Sequence, residues 1–453
     1  MSKDKIDMVY KKAIAGAMIC SGWRKDSNSP EIREFFSQIE ETVKLNTHSG
    51  DAQKKLIKNV SSAEDAYEAG VTFKKSDIDI LFVIITANTP SEFIIQGVLA
   101  AGRPVVLAGV QISISGSTNS DSSNPLYQVF ECQNAMVRCG IQLVDVIYDA
   151  MPDLARLKKS IGEWCVAANA VRSLKGQIIG YLGHAPRDML NINVDPTTLT
   201  GRFGVHIRVL EMCELAGYIS RDSQEEIVQE TTFINERTGD QTSYNGAEFI
   251  SRIANGLDML IKENGLSALA YHYAGRKNGG YAAISSRIDI AGGRLIHNRF
   301  PLAYDGDIKS CIAMYIINAM DYHSVFSRFT GVDFTNDAVT LRLVPDDYEK
   351  ICDQRADSFD EAGDATRITI ACLNMDDAAE FRFVTAEGTL KNATRTHSGA
   401  HDLHIAFKLN PESFIRQWSA SGGSGNVVFT TGSCGYLIDK YAKIAGIDIT
   451  RIC

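Results

Sequence analysis

The sequence lacks several features that would assign it quickly to a class. It has no lysine- and arginine-rich run, no CxxC pair, and none of the GxGxxG, GxSxG or zinc-protease motifs. The net charge of −9 argues against a partner held by nucleic-acid phosphates. The longest apolar runs, such as residues 80–85, are far short of the ~20 residues that a membrane helix needs. Nucleic-acid and membrane partners are therefore not expected.

The ten cysteines are scattered, and several lie inside apolar patterns. This distribution is typical of reduced, buried thiols, and it speaks against a structural zinc site, which uses closely paired ligands. Residues 1–7 are polar and charged, unlike a signal peptide. We therefore expect a cytoplasmic protein.

What the sequence does contain is a repeated alternation of strand and helix patterns. Buried strands are predicted at 13–20, 80–85 and 105–108, with helices at 31–44 and 92–101 between them. The alternation of strand and helix patterns begins again near residue 173. After about residue 322 it is replaced by short strands separated by turn residues. We predict two doubly wound (Rossmann/flavodoxin-like) parallel-sheet domains, 1–172 and 173–322, followed by an antiparallel β-barrel domain, 323–453.

The most informative stretch is residues 300–320. An apolar strand, predicted over 295–303, leads into Asp305 and Asp307, and a helical pattern follows. Asp307 is placed to cap that helix. Asp305 has no such role, and it stands at the carboxyl end of a strand, where open α/β sheets bind their ligands. Asp305 is therefore the leading candidate for chemistry.

Other polar residues follow strand ends and could border the same cleft. His184 and Arg187 lie on one such loop, and Arg276 and Lys277 lie on another. We predict substrate contacts for these four, with a solvated loop as the competing interpretation. His272 alternates with apolar residues and is more typical of a core histidine.

Four further features favour an ordinary structural explanation. They are the polar loop 113–124, the acidic segment 346–364, the histidines at 397, 401 and 404, and the glycine-rich segment 422–425.

Three segments resemble the L-fucose/L-arabinose isomerase family. They are "PLAYDGDIKSCIAMYIINAM" (301–320), "VFSRFTGVDF" (325–334) and "NVVFTTGSCGYLIDKYAKIAGIDI" (426–449), supported by the loop 183–189 and the turn 203–205. The resemblance covers most of the chain, weakly at the N-terminal domain. It implies a cytoplasmic homotrimer or homohexamer that interconverts aldoses and ketoses through an enediol with Mn²⁺. In such a reaction the ion bridges two sugar oxygens while a carboxylate moves a proton.

The positions that the family uses for its metal ligands differ in this chain. Asp305 stands at the position of the first glutamate, Arg328 at that of the second acidic residue, and Asn426 near that of the histidine. A hard ion needs oxygen ligands, mainly carboxylates, and an arginine repels it. The resemblance thus implies a divergent member that lacks most of the metal ligands.

Two interpretations of this site remain. In the favoured one, metal binding is lost or weakened and Arg328 anchors a carboxylate, phosphate or sulfonate of the substrate. Asp305 then performs acid–base chemistry with Tyr304 or Lys309. In the other, His323 or another residue rebuilds the site and a metal ion still binds.

At the level of function, two hypotheses follow. In the first, the chain is an isomerase-like enzyme that acts on a small sugar or anionic sugar derivative. Its catalytic residues are then Asp305, Arg328 and Tyr304, and Asn426 is a substrate contact. In the second, the chain is a catalytically silent homologue that binds carbohydrate or assembles with an active paralogue.

Overall fold

The fold is known from a computed structural model of the 453-residue chain. The structure describes residues 6, 8–21, 30–46, 56–87, 89–112, 125–220, 244–275, 280–344, 366–375, 380–395 and 401–453. Arg276, Lys277, His397, the loop 113–124 and the segment 346–364 lie outside these residues. So does Cys352; the nine described cysteines are free thiols.

Among the described residues, the helices and strands alternate in the order that the sequence predicts. The strands are β1 (Ala15–Cys20), β2 (Ile57–Val60), β3 (Ile80–Ile85), β4 (Val105–Gln111), β5 (Leu143–Ala150), β6 (Ile178–Gly183), β7 (His206–Leu210), β8 (Ala268–His272), β9 (Leu302–Ala303), β10 (Ser324–Asp333), β11 (Ala338–Leu343), β12 (Arg367–Met375), β13 (Phe381–Arg395), β14 (His401–Phe407), β15 (Asn426–Thr431) and β16 (Asp448–Ile452). The helices are α1 (Pro30–Asn46), α2 (Ala63–Lys75), α3 (Ser91–Ala101), α4 (Leu126–Arg138), α5 (Ala155–Leu174), α6 (Pro196–Phe203), α7 (Met212–Ile219), α8 (Tyr244–Asn264), α9 (Ala282–Ser285), α10 (Ile288–His297), α11 (Ile308–Ala319), α12 (Pro411–Ala420) and α13 (Gly435–Ala445). Within this described part, no helix is long and apolar enough to span a membrane.

The chain divides into two compact units, one of which comprises 10–173 and 439–446. Its sheet has the strand order β2-β1-β3-β4-β5, and every pairing is parallel. All six residues of β3 are apolar and buried, as expected for a strand that is covered on both faces. This order is that of a flavodoxin-like doubly wound sheet.

The second unit comprises 1–9, 174–438 and 447–453, and it contains a sheet and a barrel. The sheet order is β7-β6-β8-β9, again all parallel. The strands β12, β15, β10, β11, β14 and β13 pair antiparallel in that order, and β13 pairs with β12 to close the barrel. The short strand β16 adds to β13 in parallel. The predicted fold class is confirmed, while the predicted domain boundaries stay predictions.

Helix α11 is the packing centre of the second unit. The sequence predicts one apolar face, but all twelve of its residues are buried. The helix packs against β8 and β9 of the sheet and also against β10, β12 and β15 of the barrel. A helix with apolar residues all round needs such two-sided cover. Because α11 is held on both sides, the turn that precedes it is fixed relative to both the sheet and the barrel.

The strand predicted over 295–303 is wrong for most of its length. Residues 288–297 form α10, and only Leu302 and Ala303 pair as strand β9. The segment has helical periodicity as well as apolar content, since Ile288, Ala291, Gly292 and Leu295 form the buried face of α10. Short apolar runs fit both patterns, and here tertiary packing decides in favour of the helix.

Candidate functional site

The site lies where the parallel strands of the second unit end. Gly183 of β6 pairs with His272 of β8, and Ala270 of β8 pairs with Ala303 of β9. In this register, His184, His272 and Asp305 follow the strands at neighbouring points of one edge. The carboxyl edge of a parallel sheet is where such folds bind ligands, so the sequence-based placement of Asp305 is supported by the pairing of its strand.

The turn between β9 and α11 presents Asp305 in an unusual backbone conformation. Asp305 and Gly306 both have positive φ, 60° and 66°. For a residue with a side chain this region costs roughly 1–2 kcal/mol, although aspartate tolerates it better than most. The Gly306 N–H donates to the Tyr271 carbonyl oxygen at 3.0 Å. Strain of this kind clusters at functional sites, where surrounding contacts hold it.

Asp307, two residues later, has the capping role that the sequence predicts. Its carboxylate accepts hydrogen bonds from the Ser310 N–H at 3.1 Å and from the Ser310 hydroxyl at 2.9 Å. The side chain is buried at the first turn of α11. Asp307 therefore fixes the helix start and leaves Asp305 as the carboxylate that faces the edge.

A barrel strand brings Arg328 onto Asp305. The Arg328 Nε–H donates to Asp305 Oδ2 at 3.0 Å, and the Nη2–H donates to Oδ1 at 2.6 Å. This forked arrangement is the strongest geometry available to an arginine and a carboxylate. The Asp305 side chain is 14% exposed and that of Arg328 39%, so the pair can be reached from solvent.

Asn426 lies in the same group because its strand pairs with the strand of Arg328. Arg328 of β10 and Asn426 of β15 are direct partners in the antiparallel register, so their side chains lie on one face. The Asn426 Nδ2 is 3.3 Å from Asp305 Oδ2 and 3.5 Å from Asp307 Oδ2. The structure thus brings together the three positions, Asp305, Arg328 and Asn426, that the sequence comparison selected.

Aromatic rings line the inner side of this group. The Arg328 guanidinium lies 5.7 Å from the centroid of the Phe326 ring, and the Tyr304 ring packs between Phe326 and Tyr271. Tyr304 is fully buried, and its hydroxyl has no hydrogen-bond partner among the described residues. Burial raises the pKa of Tyr304 well above its ordinary value. Tyr304 therefore does not face the solvent.

Asp289, in the first turn of α10, also lies near this group, and no pattern in the sequence singled it out. Loss of hydration raises the pKa of the Asp289 carboxyl, and the nearby Arg328 charge opposes that shift while Asp305 adds to it. Electrostatic interaction with Asp289 also raises the pKa of Tyr304. Asp289 thus belongs to the electrostatic surroundings of Arg328 and Asp305.

The two histidines of the edge differ in what their rings can do. The His184 Nδ1 lies 3.0 Å from the Ala185 carbonyl oxygen, and its Nε2 can accept from the Ala274 N–H at 3.4 Å. The His272 ring meets His184 edge to face at 5.3 Å between centroids. Its Nε2 is buried and has no hydrogen-bond partner among the described residues. His184 thus links its own loop to the loop that follows β8. The His272 Nε2 is the ring nitrogen that remains available.

Lys309, considered above as an acid–base partner of Asp305, points elsewhere. Its Nζ donates to the carbonyl oxygens of Asn191 at 2.8 Å and Ile192 at 3.2 Å. Burial lowers the pKa of the Lys309 ammonium. These bonds tie α11 to residues 191–192 and assign Lys309 a structural role.

Of the other described residues that the sequence singled out, Arg187 lies on a loop at the edge of the sheet, and the rest make ordinary structural contacts. Arg187 is exposed on the His184 loop. His323 contacts the Ile296 carbonyl oxygen through Nε2 at 2.8 Å, and His404 lies 3.4 Å from Asp333 and 3.0 Å from Thr394. The backbone N–H groups of residues 422–424 bond to Ser419, Trp418 and Cys372, which leaves them no free anion cradle.

The donor set at Asp305 does not fit Mn²⁺. Both carboxylate oxygens accept hydrogen bonds from Arg328, whose positive charge repels a metal ion. Among the described residues, no group of three or more histidine, cysteine, aspartate or glutamate side chains is arranged to hold a metal ion. A metal at Asp305 would first have to displace the guanidinium.

A comparison with models of protein families found no match to this chain, and a search of curated proteins also found none. The resemblance to sugar isomerases thus stays a prediction from the residues quoted above.

Proposed function

We propose that this chain is a sugar isomerase-like enzyme whose carboxylate, Asp305, moves a proton next to a carbonyl of a small sugar or anionic sugar derivative. The observation that supports this most strongly is the group formed by Asp305, Arg328 and Asn426 at the carboxyl edge of a parallel sheet. It combines a proton acceptor with two donors for substrate oxygens. Aldose–ketose interconversion through an enediol needs those roles.

In the proposed reaction each residue has one role. Asp305 takes the proton from the carbon beside the carbonyl and returns it to the former carbonyl carbon, while the hydroxyl proton passes through solvent to the former carbonyl oxygen. The N–H groups of Arg328 outside its fork stabilise the oxygen on which negative charge develops, and Asn426 orients the hydroxyl group. The Tyr304 ring packs against Phe326 and Tyr271 beside this group. Because Arg328 occupies both oxygens of Asp305, we propose that the site works without Mn²⁺ bound to Asp305.

A second candidate function is supported by the same ion pair. If Asp305 stays paired with Arg328 when a sugar binds, the carboxylate has no free oxygen for proton transfer. The chain would then be a silent homologue that binds carbohydrate or assembles with an active paralogue.

Incubation with a sugar panel in D₂O separates the two functions. The panel consists of pentoses, hexoses and their anionic derivatives, with and without Mn²⁺, and deuterium incorporation beside the carbonyl is followed by NMR. The enzyme function predicts incorporation by the wild type and a loss of at least ~100-fold in Asp305→Asn, the usual scale for a missing general base. Binding of a sugar without incorporation in any condition would establish the silent homologue instead.

We also propose a cytoplasmic homotrimer or homohexamer. An exposed apolar stripe on α4 supports assembly; its members are Leu126, Tyr127, Phe130 and Val137. Large apolar patches on a protein surface often mark contacts with a partner. Sedimentation velocity of the wild type and of Phe130→Glu tests this, since the charge would dissociate an assembly formed through the stripe and would leave a monomer unchanged.

A further inference from the structure

The barrel places a second arginine directly beside Arg328. In the antiparallel register of β10 and β11, Arg328 pairs with Arg342, and Arg342 pairs in turn with Asp402 of β14. Together with Asn426, these residues form one row across four neighbouring strands, which we name the arginine row: Asn426, Arg328, Arg342 and Asp402. Side chains that are direct partners lie on the same face, about 5 Å apart.

Two like charges in direct opposition destabilise a sheet unless something compensates for them. In the arginine row each arginine is bound by an aspartate of its own. The Arg342 Nε–H and Nη2–H donate to Asp402 at 2.8 and 2.9 Å, the same fork that joins Arg328 to Asp305. Each guanidinium has five N–H groups, and each fork uses two.

The two forked arginine–aspartate pairs differ in what holds the aspartate in place. Asp402 belongs to β14 and is fixed by the strand pairing with Arg342. Asp305 belongs to a turn with positive φ, outside any strand, and Asn426 offers it a second donor. Because Asn426 remains as a donor when the fork opens, the Asp305 carboxylate can leave its arginine by a rotation of its side chain, without movement of the turn. The Phe326 ring would keep the Arg328 guanidinium in place after that exchange.

We propose that Arg328 and Arg342 form an oxyanion seat on which a carboxylate or phosphoryl group of the substrate replaces Asp305. This inference rests on the proposed function and narrows its substrate to an anionic sugar derivative. The exchange breaks no covalent bond. It substitutes one oxyanion for another on Arg328 and leaves Asp305 with a free oxygen, so that substrate binding itself prepares the proton acceptor.

Calorimetric titration with three ligands tests the proposal: arabinose, arabinonate and arabinose 5-phosphate at one ionic strength. The two acids distinguish a carboxylate from a phosphoryl group. The wild type should bind one acid at least about tenfold more tightly than arabinose, because a forked pair with arginine is a strong charge-assisted contact. Asp305→Asn, which removes the competing carboxylate, should tighten binding of that acid by about tenfold relative to any change in arabinose binding.

Two arginine variants complete the design. Arg342→Gln should reduce the preference for the acid, whereas Arg416→Ala, which removes an exposed arginine paired with Glu412 on α12, should not. Circular dichroism of each variant verifies folding. Equal affinity of the wild type for acid and neutral sugar, or an unchanged acid affinity in Asp305→Asn, overturns the oxyanion seat. Binding of arabinose 5-phosphate as expected, but without deuterium exchange beside its carbonyl, would instead remove the proposed enzyme function and leave the seat intact.

Discussion

Arg328 holds both carboxylate oxygens of Asp305 at 3.0 and 2.6 Å, although the two residues come from different layers of the fold. Asp305 follows a strand of the parallel sheet, and Arg328 lies on a strand of the barrel. The ion pair therefore joins the two layers at the point where a ligand would bind. Any chemistry of Asp305 has to begin with this contact.

Gly306 should tolerate no side chain. An added Cβ would combine a positive φ of 66° with an approach of 2.9 Å to the Tyr181 ring. We expect Gly306→Ala to lower the free energy of unfolding by about 2–3 kcal/mol, the sum of the left-handed backbone cost and overpacking. Urea unfolding measures this.

A matched glycine isolates the backbone contribution to that loss. Gly204 has the same φ of 66°, but the nearest atom to an added Cβ lies at 3.6 Å, an ordinary contact. Gly204→Ala should cost only about 1 kcal/mol. Equal losses in the two variants would show that the approach to Tyr181 is unimportant.

The two aspartate caps of the second unit should differ in strength. Asp307 is buried and caps α11 through Ser310, whereas Asp195 is exposed and caps α6 through Thr197. We expect losses in unfolding free energy of about 2 kcal/mol for Asp307→Ala and about 1 kcal/mol or less for Asp195→Ala, the two ends of the usual range for helix caps.

Asp307→Ser supplies the check on that prediction. Serine can also accept the backbone hydrogen bond at the cap, so it should recover a large part of the stability lost in the alanine variant. No recovery would mean that the charge of Asp307, rather than its capping bond, stabilises the turn.

His272 should make stability depend on pH. Burial lowers its pKa below the ordinary 6.5, with His184 and Arg328 acting in the same direction and Asp305 and Asp188 against it. The unfolded chain therefore takes up a proton at a higher pH than the folded one. The contribution of His272 is fully present above pH 6.5 and is lost as pH falls through the lowered folded value.

Replacing His272 removes that dependence. Unfolding free energies of the wild type and His272→Gln, measured between pH 7.5 and 5, should converge as the pH falls. His206→Gln serves as the control, because His206 is exposed on β7. If the wild type and His272→Gln lose stability in parallel over this range, protonation of His272 has no part in the pH response.

The sequence predicts the architecture well because the architecture depends on local periodicity. The buried run of β3, the strand–helix alternation and the cap at Asp307 are all local signals, and each has its counterpart in the structure. The strand predicted over 295–303 is wrong because a short apolar segment fits a strand or a helix, and residues 288–297 form a helix.

The partners of Asp305 depend on signals that are not local. Asp305 and Asn426 are 121 residues apart, and their meeting depends on the register between β10 and β15. Arg342 joins Arg328 only through the pairing of β10 with β11. Periodicity indicates which face a side chain occupies, but not which strand lies beside it. The resemblance supplied Arg328 and Asn426, and nothing in the sequence pointed to Asp289 or Arg342.

We propose that a guanidinium, and not a metal ion, holds Asp305. Elemental analysis tests it most directly, on wild type and Asp305→Asn purified after exposure to Mn²⁺ and gel filtration. The account predicts far less than one manganese per chain in both proteins. One manganese per wild-type chain that is lost in Asp305→Asn would contradict it.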